Sequence, residues 1–358
     1  MAERTLVIAE AGVNHNGALD LALRLVDVAA DAGADVVKFQ TFKAEQLATA
    51  DAGKAAYQVA NTGSDGPQLE MLRRLELAPR DHAALVDRCR ARGIGFMSSA
   101  FDAESLAFLG SLPMPALKIP SGDLTCAPLL LQAARLRKPL IVSTGMATLA
   151  EIEAALAVIA WGLMRDDTPR TSADVEAHQA GPDAERVLRQ HVTLLHCVTD
   201  YPAPVHAANL RAMETMAAAF GLPVGYSDHT LGIDVALAAV ARGATVIEKH
   251  FTLDRTMAGP DHAASLEPDE LKRMVAGIRT IEAALGSSRK APGAQEMGNR
   301  AVARRSIVAA RPLKAGEPLT LDALACKRPG NGLSPMRIWE LVGQRASRDF
   351  AVDEQIEP

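Results

Sequence analysis

The chain has 358 residues, of which 48% are apolar and 23% are charged, so it can bury the core of a globular protein. Its net charge of −5 does not suggest a nucleic-acid partner, because such proteins usually carry a strongly basic face. No apolar stretch approaches the roughly 20 residues of a membrane helix, and the short apolar run near the N-terminus does not resemble a signal peptide, so we expect a soluble cytoplasmic protein.

Short apolar runs recur along the chain, each followed by a polar or glycine-bearing tip and then by a helical pattern. Such runs, joined by helices, are typical of a parallel sheet covered by helices. Eight units of this kind predict an α/β fold, a closed (β/α)8 TIM barrel. The runs occupy residues 5–12, 34–42, 93–101, 115–122, 139–145, 192–198, 222–229 and 244–251.

The segments between the runs differ in character. Residues 18–32 and 149–163 have the apolar periodicity of helices, and Gly33 stands where a helix C-terminal cap is expected. Residues 44–75 form a long excursion after the second run. Residues 164–190 are polar and turn-rich, which predicts a surface insertion that is partly helical or disordered.

A change of composition divides the chain after residue 285. We predict a barrel domain over residues 1–285, a linker over 286–303 that is rich in Gly, Ser and Pro, and a small, mainly β domain over 304–358. About 55 residues is small for an independent domain, so this last module is expected to lean on a partner surface.

A parallel barrel places its reactive groups at the C-terminal ends of its strands, and polar residues follow every predicted strand. Because polar groups in apolar strands are costly unless they are paired or functional, the set predicts an active site. The residues at or just beyond the strand ends are Glu10, Asn14, His15, Lys38, Gln40, Ser98, Ser99, Lys118, Ser121, Asp123, Ser143, Thr144, Thr199, Asp200, Tyr201, Ser227, Asp228, His229, Glu248, Lys249, His250, Asp261 and His262.

Two lysines at strand ends favour an anionic substrate over a neutral one. Lys38 and Lys118, with nearby hydroxyl groups, supply donors for a phosphate or carboxylate. Structural alternatives remain open: Lys118 could form a salt bridge with Asp123, and Glu10 could pair with Lys38. As a strand-end carboxylate, Glu10 is also a candidate general base or stabiliser of developing positive charge.

His229 and His250 are 21 residues apart, about one strand–helix–strand repeat, so their rings are expected to meet at the barrel mouth. Two imidazoles with nearby carboxylates suit a divalent transition metal such as Mn²⁺. Hydrogen-bonded structural histidines are the alternative.

Together, the strings at the strand ends resemble the sialic acid (nonulosonate) synthase family, and residues 304–358 resemble its antifreeze-like (SAF) domain. The resemblance runs along nearly the whole chain, apart from residues 164–190. The matching strings are IAEAGVNHNG (8–17), VVKFQTF (36–42), LKIPSGD (117–123), STGM (143–146), LLHCVTDYPAP (194–204), GYSDHTLG (225–232), IEKHFTLD (247–254), GPDH (259–262) and KRPGNG (327–332).

The resemblance implies a transferase that condenses phosphoenolpyruvate with an N-acetylmannosamine-type aldehyde, adds water at C2 and releases phosphate. It implies catalytic roles for Glu10, His229 and His250, the two histidines binding Mn²⁺, with Mg²⁺ or Co²⁺ as alternatives. It assigns phosphoenolpyruvate to Lys38, Ser99, Lys118, Ser121, Ser143 and Ser227. It assigns the sugar to Gln40, Asp123, Tyr201, Asp261 and Arg328.

The resemblance also implies a homodimer in which the SAF domain is swapped, so that Arg328 reaches the N-acyl group of a sugar bound in the other subunit. Three positions depart from the family's commonest pattern: Ser99 replaces Thr, Asp123 replaces Glu, and Thr199 replaces Asn or Ser. The third puts one hydrogen bond to phosphoenolpyruvate in doubt.

The expected product is N-acetylneuraminate, made from N-acetylmannosamine. The first alternative is a legionaminate synthase acting on 2,4-diacetamido-2,4,6-trideoxymannose, followed by a pseudaminate synthase. A synthase for a phosphorylated aldose would need a further basic site, which the strand ends lack. A non-catalytic carbohydrate-binding scaffold would have no need of Glu10, both lysines and both histidines.

Overall fold

The eight apolar runs form the parallel strands of a closed barrel in the computed structural model, which describes residues 4–179 and 181–357. Neighbours in sequence are neighbours in the barrel, and β8 pairs with β1 to close it. The predicted TIM barrel is therefore confirmed. The strands are β1 Leu6–Gly12, β2 Val36–Thr41, β3 Gly95–Ala100, β4 Leu117–Ile119, β5 Leu140–Ser143, β6 Val192–Cys197, β7 Val224–Asp228 and β8 Val246–His250.

Helices follow the strands and cover the barrel. They are α1 Leu19–Asp31, α2 Ala44–Leu47, α3 Ala56–Thr62, α4 Gln68–Arg73, α5 Pro79–Arg92, α6 Ala103–Gly110, α7 Ala127–Arg135, α8 Leu149–Met164, α9 Ser172–Gln179, α10 Pro182–His191, α11 Ala212–Phe220, α12 Asp234–Ala241 and α13 Pro268–Leu285. The two predicted helices correspond to α1 and α8, and Gly33 adopts the left-handed conformation expected after a helix. Within residues 4–179 and 181–357, every helix is too short or too polar to cross a lipid bilayer.

The two segments that interrupt the repeat are largely helical. Residues 44–75 contain α2, α3 and α4, and residues 164–190 contain α9 and most of α10, with Ala180 outside the described part of the chain. In the second segment, Val175 packs against the buried Trp161 of α8, whose indole N–H donates to the Asp167 carbonyl at 2.8 Å. This insertion is therefore anchored to the helical layer by apolar packing.

Residues from Ser287 onward form a second compact unit with its own core. Helix α14 (Ala294–Ala303) lies within the predicted linker, and it is followed by an antiparallel pair, β9 (Ser306–Ala309) and β10 (Leu324–Lys327), and by the short helix α15 (Ile338–Leu341). Isolated antiparallel bridges join further extended segments, so the predicted small β module is confirmed. Residues 1 and 358, the outer limits of the two predicted domains, lie outside the described residues.

An ion pair is buried on the outer side of the barrel wall, between β7 and β8. The Nζ of Lys249 lies 2.8 Å from the Oδ2 of Asp228, and both side chains have 0% exposure. Lys249 also donates to the Thr230 carbonyl, while the other oxygen of Asp228 accepts from the Thr230 backbone and hydroxyl. These two strand-end residues therefore join the strands and do not line the barrel interior.

Replacing Lys249 with methionine should destabilise the barrel by about 3–5 kcal/mol, because it leaves the Asp228 carboxylate buried without a cation. The free energy of unfolding in urea measures this effect. Arg189→Met is a matched control, because it breaks the exposed Arg189–Glu185 pair and should change stability little. Equal effects of the two substitutions would contradict the structural role of the buried pair.

Candidate active site

Alternation along the strands places polar side chains at one end of the barrel interior. Residues two apart on a strand face the same side, and an inner apolar layer holds residues such as Ile8, Val36 and Met97. Two positions further along these strands stand Glu10, Lys38 and Ser99. The same step leads from Ala116 to Lys118, from Ile141 to Ser143 and from Val246 to Glu248.

These side chains line a cavity of about 370 Å³ at the C-terminal ends of the strands. The family resemblance assigns a role in catalysis, phosphoenolpyruvate binding or sugar binding to fourteen residues, and twelve of them contribute to the cavity wall. They are Glu10, Lys38, Gln40, Ser99, Lys118, Ser121, Ser143, Tyr201, Ser227, His229, His250 and Asp261. Thr199 lines the cavity as well.

Four charged groups form a buried network at the base of this cavity. The Nζ of Lys38 lies 2.9 Å from Glu10 Oε2 and 3.5 Å from Glu248 Oε2, and it donates to the Ser99 hydroxyl at 3.1 Å. The Nζ of Lys118 lies 3.6 Å from Glu248 Oε1. The Glu10–Lys38 pair considered from the sequence is therefore present, whereas Lys118 has Glu248 beside it and not Asp123.

The network divides its two carboxyl groups into different protonation states. Burial raises the pKa of Glu10 to about 7, although Lys38 opposes this shift. Burial also acts on Glu248, but Lys118 and Lys38 outweigh it and lower its pKa to about 2. Burial lowers the pKa of Lys118, while Glu10 and Glu248 outweigh burial at Lys38 and raise its pKa. Glu10 is thus able to exchange a proton near neutral pH, and Glu248 stays ionised.

The two histidines meet at the cavity as predicted, with ring centroids 5.6 Å apart. His229 donates its Nδ1 hydrogen to the Val198 carbonyl at 2.6 Å. The other ring nitrogen, Nε2, therefore carries the lone pair that can bind a ligand. The buried Nδ1 of His250 has no hydrogen-bond partner. Burial lowers the pKa of both rings, so both are neutral at pH 7.

Three of the proposed sugar-binding residues surround these histidines. Gln40 donates to Glu10 at 3.2 Å, and the Tyr201 ring lies over His229 with centroids 4.2 Å apart. Asp261 Oδ2 is 3.9 Å from His250 Nδ1, and burial raises the pKa of Asp261 to about 6. The cavity therefore has charged groups at its floor and hydrogen-bonding and aromatic groups above them.

Asp123 does not line the cavity, and Arg328 belongs to the second unit. Asp123 ends the short 3-10 helix Ser121–Asp123, and burial raises the pKa of its half-buried carboxyl to about 6. Arg328 is exposed in the second unit, where its Nε donates to the Ala303 carbonyl at 3.0 Å.

Two residues of the site were missed from the sequence. Glu248 stood among the strand-end residues but was given no role, although it lies two residues before His250 and hence on the same strand face. Tyr57 comes from α3, and its ring lies 4.9 Å from that of Tyr201. No local pattern marks Tyr57, because its place in the wall depends on how residues 44–75 fold.

Comparison with known proteins agrees with this geometry. Residues 25–290 match the model of the NeuB family, and residues 304–358 match that of the SAF domain. The chain is 46% identical to the N,N'-diacetyllegionaminic acid synthase of Campylobacter jejuni, covering 99% of both chains. It is also 46% identical to the enzyme of that name from Legionella pneumophila, covering 96% of this chain and 91% of that one.

A solved structure is similar as well. The N-acetylneuraminic acid (sialic acid) synthetase of Leptospira borgpetersenii, in complex with citrate, aligns with a TM-score of 0.67 and 33% identity, covering 83% of this chain and 90% of that one. The chain therefore belongs to the NeuB family of sialic acid synthases and carries a SAF domain over residues 304–358.

Proposed function

We propose that this chain is a legionaminate-type synthase, which condenses phosphoenolpyruvate with 2,4-diacetamido-2,4,6-trideoxymannose and releases phosphate. The observation that carries this proposal is the 46% identity, over 99% of both chains, to a diacetyllegionaminic acid synthase. Identity to the sialic acid synthetase of known structure is 33%. N-acetylmannosamine, the sugar first expected from the sequence, thus has less support than the alternative.

Phosphoenolpyruvate fits the base of the cavity. Its carboxylate and phosphate need cationic and hydroxyl donors, which Lys38 and Lys118 supply together with the hydroxyls of Ser99, Ser121, Ser143 and Ser227. Among the described residues of the cavity wall, these two are the lysine and arginine side chains present. A second phosphate, as on a phosphorylated aldose, would have no comparable partner there, so we favour an unphosphorylated sugar.

His229 and His250 fit a divalent metal ion. Both are neutral, the Val198 carbonyl fixes the tautomer of His229, and the buried Nδ1 of His250 lacks a partner. No group of three or more His, Cys, Asp or Glu side chains suited to a metal occurs within residues 4–179 and 181–357, so the remaining ligands would be substrate or water oxygens. Nitrogen ligands with oxygen donors suit Mn²⁺. When bound, such an ion polarises the aldehyde oxygen as a Lewis acid.

The residues of the cavity base can carry the remaining chemistry. C3 of phosphoenolpyruvate attacks the aldehyde carbon, so a carbon–carbon bond forms while the aldehyde oxygen takes up a proton, which the protonated form of Glu10 can donate, and becomes a hydroxyl group. Positive charge develops at C2, and the carboxylates of Glu10 and Glu248, which line the cavity, can stabilise it. Water adds at C2 and transfers a proton to Glu10, whose pKa of about 7 permits both uptake and release. Cleavage of the C2–O bond then expels phosphate, stabilised by Lys38 and Lys118, while the C2 hydroxyl gives up its proton to the departing phosphate and becomes the 2-keto group.

The sugar is expected above this base, in contact with Gln40, Tyr201 and Asp261, which line the cavity. Asp123 stays a proposed sugar contact on the basis of the family resemblance, and the two residues before it, Ser121 and Gly122, line the cavity.

The direct test of the proposed function measures phosphate release from phosphoenolpyruvate with Mn²⁺ and a panel of amino sugars. We expect 2,4-diacetamido-2,4,6-trideoxymannose to give the highest kcat/KM, and N-acetylmannosamine to be a poorer substrate. Mass spectrometry should detect the corresponding nine-carbon keto acid. A protein that releases no phosphate with any of these sugars is not a synthase of this kind.

Metal removal should abolish the reaction, and added Mn²⁺ should restore it. We expect His229→Ala and His250→Ala each to weaken Mn²⁺ binding by about tenfold to a hundredfold, because each removes one of two protein ligands. Titration calorimetry on the folded protein measures this without reference to activity. His191→Ala, which changes a half-buried histidine of α10, serves as the control. Unchanged affinity in either site variant would remove that histidine from the ligand set.

We further propose a homodimer in which Arg328 of one subunit serves the sugar bound by the other. Its exposure and the family resemblance support this role. Arg328→Ala and Glu10→Ala proteins should each be nearly inactive. When the two are co-expressed, the mixture should regain up to about a quarter of the wild-type activity. With random pairing, half of the dimers are hybrids, and each hybrid has one intact site of two. Absence of any recovery in isolated hybrid dimers would contradict the exchange of domains.

A further inference from the structure

Residues 44–75 build the outer wall of the cavity, opposite its charged base. Leu47, Met71, Leu72 and Leu75 line the cavity and belong to an apolar cluster that also includes Val13 and Phe42. The cavity-lining residues of this segment carry no charge. The outer wall is thus an apolar surface that faces the same space as the lysines and histidines of the base.

A smaller polar patch interrupts this apolar surface. Gln58 and Gln68 line the cavity, and Gln68 Nε2 donates to Gln58 Oε1 at 3.3 Å. A pair of carboxamides has four N–H groups and two acceptor oxygens, and Gln58 Oε1 also accepts from the Ala55 N–H at 3.0 Å. The pair therefore keeps three N–H groups and the Gln68 oxygen for a ligand. A secondary acetamide, which has one N–H and one C=O, is complementary to such a pair.

The outer wall is fixed in relation to the reacting end. The ring of Tyr57 packs on Tyr201, which in turn packs on His229, so an aromatic column runs from the metal-site candidate to α3. The amide of Asn61 donates to the Pro260 carbonyl at 2.6 Å, beside the cavity residue Asp261. A sugar whose aldehyde carbon lies at the histidines can extend along this column, with its far end, C4 to C6, at the wall.

From this arrangement, and resting on the proposed synthase function, we propose that the outer wall is the specificity subsite for the far end of the sugar. Its apolar part, around Met71 and Leu75, receives a C6 methyl group. Its amide pair, Gln58 and Gln68, binds an acetamido group at C4. A hydroxymethyl group at C6 would bury a hydroxyl against leucine and methionine, which costs about 1–3 kcal/mol without a hydrogen bond.

Three sugars separate the two contributions. They are 2-acetamido-2-deoxymannose, 2-acetamido-2,6-dideoxymannose and 2,4-diacetamido-2,4,6-trideoxymannose. The kcat/KM ratio of the second sugar to the first reports on C6, and the ratio of the third to the second reports on C4. For the wild-type protein, we expect the C6 ratio to favour the methyl group on the order of 10- to 100-fold.

Two reciprocal substitutions test the subsite. Met71→Gln places an amide in the apolar part and should lower the C6 ratio about tenfold while leaving the C4 ratio unchanged. Gln68→Met removes an amide and should lower the C4 ratio by a similar factor while leaving the C6 ratio unchanged. In both variants the KM for phosphoenolpyruvate should be unaltered. Both side chains are half-buried, so folding can be checked by thermal unfolding.

Leu149→Gln is the matched control, because Leu149 is 44% exposed at the start of α8 and does not line the cavity. It should change neither ratio. An active wild-type protein without a C6 preference, or a C6 ratio unaffected by Met71→Gln, overturns the methyl subsite. A C4 ratio unaffected by Gln68→Met overturns the acetamido subsite. In those cases phosphate release still establishes the synthase, whereas no release with any of the three sugars overturns the proposed function itself.

Discussion

The buried network of Glu10, Lys38, Lys118 and Glu248 is the constraint on which the rest of the site depends. Removing four charged groups from water is costly, and only mutual pairing at short distance offsets that cost. Pairing requires β1, β2, β4 and β8 to present these residues at one height, which the closed barrel does. Each lysine of this network lies beside a carboxyl group. An anion that enters the cavity must therefore compete with Glu10 and Glu248 for the ammonium groups of Lys38 and Lys118. The protonation of Glu10 near neutral pH eases that competition.

The wall of the barrel has different functions on its two sides. On the inner side, Glu248 and His250 face the cavity. On the outer side, the intervening Lys249 is bound to Asp228 of the neighbouring strand. The ion pair thus lies directly behind the two strand ends that carry His229 and His250. The hydrogen bonds of this ion pair hold β7 and β8 in one register, which apolar packing alone would specify less strictly.

In our proposal, different parts of the cavity carry out the reaction and select the sugar. Strand residues form its base, where rigid backbone holds the charged groups and the imidazoles, and the excursion after β2 forms its outer wall. Barrel enzymes commonly vary their loops while keeping strand-end chemistry. This division explains why the strand-end strings identify the family, whereas the choice of sugar, in our proposal, depends on residues 44–75, which have no recognisable motif.

The sequence by itself determined the eight strands, their order and the polar residues at their ends, because apolar runs and alternation are local properties of a chain. It also determined the family, through strings at those same ends. Only the tertiary structure decided which of these groups meet. Lys118 lies beside Glu248 and not Asp123, since closure of the barrel brings β8 across from β4 inside the barrel. The tertiary structure also paired Asp228 with Lys249, because β7 and β8 are neighbours in the barrel. It brought Tyr57 and Met71 to the cavity, because the packing of short helices depends on contacts between residues far apart in sequence.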